Sequence, residues 1–336
     1  MTRSSPRPPR RSPSSQPASR PSTPAEQADG RSRRDGRDPR LGGHRAESHA
    51  RAVGARREPA ALIALLRTNR RSSNLYVVEL EDAGSATALL ERDHGLLADE
   101  LVRAALEDLE RWEDQGIQVY TVLDPRYPAN LRAAVDRPAL IFVVGEYQPS
   151  DARSVAVIGS RSASEDGLAL ARAVVEELVD TSYTVVSGLA AGVDAAAHAA
   201  ALARRGRTIA VIGTGVRRAY PAENAALQRR IAAEGAVISQ FLPDAGPSRR
   251  SFPKRNAVMS GLTLATVVIE ASSTSGARTQ LRFARAQKRP VLLAGSLLDQ
   301  AWAREMAEQP GTDVFASPGE VVSLLDELCP GGAPLG

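Results

Sequence analysis

Cysteine is almost absent from this sequence, and aromatic residues are scarce. The 336-residue chain holds one cysteine, Cys329, which excludes an intramolecular disulfide and a zinc site built on several cysteines. We therefore expect a reducing, cytoplasmic environment. Aromatic residues make up 4% of the chain, so a core has to be built mostly from Ala, Val, Leu and Ile, which the 43% hydrophobic content supplies.

Long apolar runs are also missing. No stretch approaches the roughly 18 consecutive apolar residues of a membrane-spanning helix, so the sequence predicts no membrane contact. The N-terminal segment lacks the apolar centre of a secretory signal, so we expect no export.

Lysine occurs only at positions 254 and 288, and arginine carries the remaining positive charge. The net charge of +4 is unevenly divided, because residues 1–57 hold 14 Arg against 5 Asp and Glu, a net of +9. The rest of the chain is therefore at 4 − 9 = −5. The positive charge belongs to the N-terminal segment and is a weak reason to expect that the folded part binds nucleic acid.

Composition divides the chain into three segments. Residues 1–57 are rich in Arg, Ser and Pro without periodic apolar positions, and such a segment cannot bury enough surface to offset the entropy of ordering, so we predict a disordered tail. Residues 58–115 form a predicted small, mainly helical module. Its helical patterns are Ala60–Leu66, Ala86–Glu91 and Ala98–Trp112, whereas Leu75–Leu80 fits either a strand or a helix.

In residues 116–330, short apolar runs alternate with helical patterns of about 10–15 residues. This alternation predicts a Rossmann-like α/β domain with a doubly wound, mostly parallel sheet. The predicted strands are Gly116–Asp124, Pro138–Gly145, Val155–Ile158, Tyr183–Ser187, Thr208–Ile212, Ala236–Ser239, Ala265–Glu270 and Pro290–Leu293. One connection, Phe241–Arg255, is long and polar, and we predict a functional loop there.

The strand Val155–Ile158 stops at Gly159-Ser160-Arg161, and a helix with Ser164 as its N-cap follows. In doubly wound folds, ligands bind beyond the carboxyl ends of the strands, close to helix N-termini that attract anions. Gly159, Ser160 and Arg161 are therefore candidates for holding a phosphate group. The alternative is a tight turn with a solvated arginine.

The next strand ends at Ser187 and is followed by Gly188 and Gly192, which would let the backbone approach a ligand closely. Asp194 and His198 lie one helical turn apart and, with Ser187, supply the residue types of a serine hydrolase. The G-x-S-x-G turn of such enzymes is missing, and Asp194 suits the N-terminus of a helix. A structural capping role is therefore favoured over catalysis.

The predicted loop carries a basic cluster, Arg249-Arg250-Ser-Phe252-Pro-Lys254-Arg255-Asn256. Cations can bind phosphates while the ring of Phe252 stacks on a base, a combination that suits single-stranded nucleic acid. The alternative is an exposed charged loop with Phe252 in the core. No Walker A or G-x-G-x-x-G motif is present, so the sequence predicts no cofactor, and no metal site or catalytic residue is predicted either.

Seven short segments stand in a characteristic order along the chain. They are Val155–Arg161, Val185–His198, Ile209–Gly215, Tyr220–Asn224, Phe252–Asn256, Gly261–Thr263 and Val267–Ala271. In this order they resemble the DNA-processing protein A (DprA/Smf) family, and the resemblance covers about residues 116–296. The sequence departs from the family pattern at Ala191, where a basic residue is frequent, at Ala257, where arginine is frequent, and after Gly276.

The resemblance implies a non-enzymatic protein that binds single-stranded DNA and delivers it to the RecA recombinase in natural transformation, usually as a homodimer. Carried over by position, Arg161 would hold a phosphate, and Phe252, Lys254, Arg255 and Asn256 would line the DNA pocket.

The alternative function is a nucleotide-binding or nucleotide-processing enzyme of Rossmann-like fold, with Asp194 and Glu270 as the working acids. A DNA groove needs several converging cations, whereas such an enzyme needs an enclosed pocket with carboxylates.

Overall fold

The structure, a computed structural model, describes residues 56–68, 73–272 and 276–330. Its helices are α1 (56–68), α2 (Tyr76–Ala83), α3 (Ala86–His94), α4 (Ala98–Glu113), α5 (Ala129–Arg132), α6 (Glu165–Asp180), α7 (Val193–Ala203), α8 (Ala225–Glu234), α9 (Ser251–Leu262), α10 (Ala277–Ala286), α11 (Ala301–Ala307) and α12 (Pro318–Leu328). Its strands are β1 (Ile117–Thr121), β2 (Leu140–Gly145), β3 (Ser154–Ile158), β4 (Thr184–Ser187), β5 (Thr208–Val211), β6 (Ala236–Ser239), β7 (Ala265–Val268), β8 (Val291–Ala294) and β9 (Thr312–Phe315).

All nine strands form one sheet in the order β1-β2-β6-β5-β4-β3-β7-β8-β9. The seven strands from β6 to β9 in this order pair in parallel, and β1 and β2 add an antiparallel edge next to β6. From β3 the chain builds outwards to one side as far as β6, and then returns to place β7 on the other side of β3. The predicted doubly wound, mostly parallel α/β fold is confirmed.

The central strand β3 shows why these runs form the sheet. Every residue of Ser154–Ile158 is buried, as expected for a parallel strand covered by helices on both faces. The helix that follows begins as predicted, because the Oγ of Ser164 accepts a hydrogen bond of 3.0 Å from the backbone N–H of Gly167.

Four helices precede the sheet. The ambiguous segment Leu75–Leu80 lies mainly in helix α2, and the ring of Trp112 in α4 meets Phe142 of β2 edge-on, with the ring centres 5.5 Å apart. The predicted tail lies outside the described residues except for 56 and 57, which belong to α1. The division into a 58–115 module and a 116–330 domain stays a prediction.

The prediction of a loop over Phe241–Arg255 is wrong for its last residues, because α9 begins at Ser251. Ser248 and Ser251 are bonded reciprocally at the start of this helix: each backbone N–H donates to the other's Oγ, at 3.2 and 3.0 Å. Pro253 lies in the first turn, where the missing N–H of a proline breaks no helical hydrogen bond.

The sequence predicts no element beyond residue 293, yet α11, β9 and α12 complete the fold. Strand β9 was missed because Asp313 and Val314 are only half-buried, so its apolar run is too short to stand out. Within the described ranges, no helix combines the length and the apolar character needed to cross a membrane.

Candidate nucleic-acid interface

A cavity of 640 Å³ opens at the carboxyl edge of the parallel strands, beside the turn that follows β3. This is where β3 and β7 lie side by side and the strand order reverses, the usual ligand position in doubly wound sheets. The end of β3 at Ile158, the following turn 159–162, part of α9 and the start of α10 form its walls.

The structure brings most of the predicted site residues together. Those that line the large cavity are Gly159, Ser160, Arg161, Phe252, Arg255 and Asn256. Gly188 lines a smaller cavity of 110 Å³, which shares Arg161, Ala190, Phe252 and Arg255 with the large one. Gly192 and the exposed Lys254 line neither cavity.

Arg161 and Phe252 meet at the boundary between the two cavities. The guanidinium carbon of the exposed Arg161 lies 5.6 Å from the ring centre of the half-buried Phe252, within the range of a cation–π contact. The ring also contacts Tyr220, which is 45% exposed, at 5.6 Å between ring centres. An exposed cation and two partly exposed rings therefore stand side by side.

Arg255, by contrast, is built into the protein. It lies in α9, not in a loop, and is 6% exposed. Its Nη1 donates to the backbone carbonyls of Gly188 and Val211, the latter at 2.9 Å, and its Nε donates to Asn256 Oδ1 at 3.0 Å. Burial lowers the pKa of this guanidinium, and the nearby Asp194 opposes that shift. The expectation that Arg255 reaches DNA from an outer loop is corrected accordingly.

The two glycines after β4 make room for parts of the protein. A Cβ on Gly188 would collide with the guanidinium of Arg255, so the missing side chain at this position makes room for that arginine. Gly192 has a φ of +73° and lies against the backbone carbonyl of Ser160, which accepts a hydrogen bond of 3.1 Å from Val193. Gly192 thereby supports the turn that presents Arg161.

The N-terminus of α6 already holds a negative charge. Both oxygens of the Glu270 carboxylate accept hydrogen bonds from the backbone N–H of Ser164, at 3.2 and 3.1 Å, and Oε2 accepts one from its hydroxyl at 2.5 Å. The sequence-based argument that this helix end attracts a phosphate beside Arg161 is therefore wrong in that part, because a protein carboxylate lies there.

Ser187, Asp194 and His198 do not form a catalytic triad. The Ser187 hydroxyl donates to the carbonyl of Val157 at 2.7 Å, while His198 Nδ1 lies 2.7 Å from the Oγ1 of Thr208. Burial lowers the pKa of His198 to about 3, and burial also raises the pKa of the Asp194 carboxyl. Asp194 Oδ2 accepts a hydrogen bond from the backbone N–H of Ala190 at 3.3 Å, which is a structural role.

Two residues of the site were missed from the sequence. Tyr220 was seen only as part of a motif, although its position shortly after the third parallel strand was a usable signal. Gln280, in the wall of the large cavity, gave no signal at all. In the part of the chain that the structure describes, no three His, Cys, Asp or Glu side chains are grouped so that they could hold a metal ion.

Comparison with known proteins identifies the family of this fold. The family model described as DNA recombination-mediator protein A matches residues 118–325. Protein Smf of Synechocystis sp. is 36% identical over 187 residues, which are 54% of this chain and 47% of that protein. The DNA processing protein DprA of Streptococcus pneumoniae is 36% identical over 217 residues, 65% of this chain and 68% of that one. The chain thus spans about half the length of the Synechocystis relative.

Solved structures agree with this comparison. The X-ray structure of DprA from Streptococcus pneumoniae superposes with a TM-score of 0.65 at 29% identity, covering 80% of this chain and 97% of that one. DNA processing protein A from Helicobacter pylori, described for its single-stranded DNA binding mode, shares the fold at a TM-score of 0.56 and 23% identity, over 63% of this chain and 96% of that one. Since the family model covers more than half of the chain, this protein belongs to the DNA recombination-mediator protein A family.

Proposed function

We propose that this protein binds single-stranded DNA, without cleaving it, along the two cavities at the carboxyl edge of the sheet. The observation that carries the proposal is the contact of Arg161 with Phe252, next to Tyr220. The cation binds a phosphate and the rings offer a surface on which a base stacks, which is the combination that single-stranded DNA requires. Every base has a π-face, so binding through these rings tolerates many sequences.

Of the other predicted residues, some contact the DNA in this proposal and others hold the contacting residues in place. Gly159 and Ser160 form the turn that carries Arg161, and Gly192 packs against the backbone of that turn. Asn256 faces the DNA, and Arg255 shapes the floor between the cavities. Lys254 is exposed on the first turn of α9 and adds a phosphate contact next to Phe252.

The proposal includes the absence of catalysis, and the hydrogen bonds of Glu270 and Asp194 within the protein support this part of it. Glu270 caps α6 through Ser164, and Asp194 is 6% exposed and bonded to the backbone. A nucleotide-processing enzyme would need these carboxylates free to act on a ligand. His198 is fully buried and bonded to Thr208, so it offers no accessible general base.

Delivery of the bound strand to the RecA recombinase, and action as a homodimer in natural transformation, complete the proposal. Both rest on membership of the family, whose relatives include proteins named DNA processing protein DprA. Loading is tested by measuring DNA-dependent ATP hydrolysis by RecA on single strands covered with a single-strand-binding protein, with and without this protein. Light scattering of the full chain measures the oligomeric state.

A salt-titrated binding assay tests the central claim. Fluorescence anisotropy with one labelled oligonucleotide, single-stranded or annealed to its complement, should show preference for the single strand, and affinity should fall with rising salt. Equal affinity for both forms would point to charge alone, and hydrolysis of added nucleotides would favour the enzyme alternative.

A further inference from the structure

One side chain in the wall of the large cavity has no hydrogen-bond partner among the residues that the structure describes. Gln280, on the first turns of α10, is 1% exposed, and neither its Oε1 nor its Nε2 forms a hydrogen bond with any residue that the structure describes. Buried polar atoms in native proteins are nearly always paired, so an amide with both ends unpaired requires a specific reason. A ligand in the cavity is such a reason.

Two neighbours in the same wall have unused hydrogen-bonding capacity. Asn256 accepts a bond from Arg255 with Oδ1, and its Nδ2 has no acceptor among the described residues. Arg255 donates from Nε and Nη1, which leaves Nη2 without an acceptor in the same part of the chain. Side chains from α9 and α10 thus meet at one cavity. Asn256, Arg255 and Gln280 each offer an N–H donor there, and the Oε1 of Gln280 offers an acceptor.

The chemistry of the amide indicates which part of the DNA it contacts. A phosphate only accepts hydrogen bonds, so it would leave the Oε1 of Gln280 unpaired. The edge of a nucleobase presents a donor and an acceptor side by side, which matches the donor and acceptor of an amide, as in the bidentate pairs of glutamine with bases. The amide carries no charge, so it adds nothing to the general attraction of phosphates.

We infer that one nucleobase of the bound strand enters the large cavity and that Gln280 hydrogen-bonds its edge through Oε1 and Nε2. This inference rests on the proposed function, since it places the base of a DNA strand whose phosphate Arg161 holds. Phe252 supplies contact with the flat face of a base, and Gln280 supplies contact with an edge. The site therefore distinguishes a strand with bases from a bare sugar-phosphate chain.

The test compares DNA with and without bases on the full chain. The probes are labelled homopolymers of dT, dA and dC and an abasic chain of equal length and charge. Gln280→Met removes the amide and keeps the length of the side chain. We expect Gln280→Met to bind at least one homopolymer about tenfold more weakly, equivalent to about 1.4 kcal/mol, and to bind the abasic chain as the wild type does.

Thr266→Val is the matched control. It removes another fully buried polar atom, the Oγ1 of Thr266 in β7, which forms no hydrogen bond with a described residue and lines neither cavity. We expect no change in any affinity. Thermal unfolding measured on both variants separates a change in folding from a change in base contact, because a purely structural role would leave the difference between homopolymers and abasic chain untouched.

The outcomes separate this inference from the function on which it rests. If all three homopolymers and the abasic chain respond alike to Gln280→Met, the base contact is overturned. If at the same time Arg161→Ala still weakens binding of the abasic chain, the proposed DNA-binding function stands. If the wild type binds none of the probes, both fail together.

Discussion

The guanidinium of Arg161 lies over the ring of Phe252, with 5.6 Å between its central carbon and the ring centre. This contact connects the turn after β3 to the first turn of α9, and it orients the arginine without an ion pair. Arg161 has no acidic partner among the described residues, so its charge remains available to an anion. The arginine is thus positioned by a neutral surface and free to bind a phosphate.

Replacing Arg161 with alanine should weaken DNA binding without affecting folding. Loss of one phosphate contact should reduce the slope of log affinity against log salt concentration by roughly 0.7. The loss should be similar for oligonucleotides of any sequence, because phosphate contacts carry no base information. Anisotropy titrations at several salt concentrations measure the slope, and thermal unfolding should stay at the wild-type temperature.

The matched control for Arg161 is Arg172→Ala, which removes an exposed arginine from α6, away from both cavities. It changes the net charge by the same amount and should leave the slope nearly unchanged. Equal effects of the two variants would mean that the DNA does not lie along this edge of the sheet.

Phe252→Leu should reduce affinity for single-stranded DNA by about 1–3 kcal/mol, the range for losing one stacked base. Leucine keeps apolar contact with Gly213, which approaches the ring so closely that a Cβ there would lie 2.8 Å from it. Stability should therefore fall little. Phe283→Leu, a half-buried phenylalanine of α10 outside both cavities, is the control. Phe252→Ala, measured beside Phe252→Leu, tests the alternative: a loss of about 3–5 kcal/mol in its unfolding free energy would mean that the ring is a core anchor.

Much of the sheet and the position of Arg161 could be predicted from local patterns. Val155–Ile158 is a continuous apolar run, which indicates a strand buried on both faces, and in this fold class the residues after such a strand lie at the ligand edge. The position of these residues at the ligand edge depends only on the direction of the strand. The alternation of strands with helices along the chain establishes that direction, because such connections join parallel strands. The local pattern therefore predicts the edge at which Arg161 lies, and the structure confirms that position.

The features that the sequence did not predict depend on contacts between distant segments of the chain. Helix α9 was missed because all of Arg255–Leu262 is buried, so it shows no apolar stripe, and its opening is polar. The burial of Arg255 follows from the pairing of β4 with β5, which brings Gly188 and Val211 to one place. Likewise, Glu270 reaches Ser164 only because β3 and β7 are neighbours. No local pattern contains this information.

Arg255→Ala should destabilise the fold, in contrast to Arg161→Ala. It would leave the buried carbonyls of Gly188 and Val211 without a donor, and each such loss costs about 1–3 kcal/mol. Gly188→Ala should also destabilise, by about 1–3 kcal/mol, since its Cβ would collide with the guanidinium. Denaturant unfolding measures both effects.

The double variant of Gly188 and Arg255 tests whether the two losses share one cause. Because the collision needs the arginine, the double variant should be more stable than the sum of the two losses implies, by about 0.5–3 kcal/mol. Gly246→Ala is the control, since nothing lies within 4 Å of a Cβ there and its φ is not positive. Strict additivity at 188 and 255 would contradict the packing described for this pair.

His198 should make stability depend on pH in the mildly acidic range. Burial lowers its pKa to about 3 in the folded protein, against about 6.5 in the unfolded chain. The unfolded chain therefore binds one more proton below pH 6.5, and stability is lost as pH falls from about 6.5 towards 3. The contribution is about 1.4 kcal/mol per pH unit. Urea unfolding of wild type and His198→Leu between pH 7.5 and 5 should show a flatter profile for the variant, and parallel profiles would contradict a neutral, buried His198.

Glu270→Gln addresses the function of the acid at the end of β7. The substitution keeps an acceptor for Ser164 but removes the charge at the N-terminus of α6, so the unfolding free energy should fall by about 0.3–1 kcal/mol. Affinity for single-stranded DNA should rise at low salt, because the negative charge bonded to Ser164, which follows Arg161 by three residues in the chain, is gone. The rise should vanish at about 1 M salt, where the screening length is about 3 Å.

Glu176→Gln, exposed in the second half of α6, controls for net charge and should change affinity little. If Glu270 were instead a working acid, the wild type would turn over a nucleotide and Glu270→Gln would abolish that turnover with little change in DNA affinity. For a helix cap, Glu270→Gln raises DNA affinity and there is no nucleotide turnover to lose. For a catalytic carboxylate, the same variant loses nucleotide turnover and keeps its DNA affinity. Because the hydroxyl and the backbone N–H of Ser164 already donate to Glu270, we expect the behaviour of the cap.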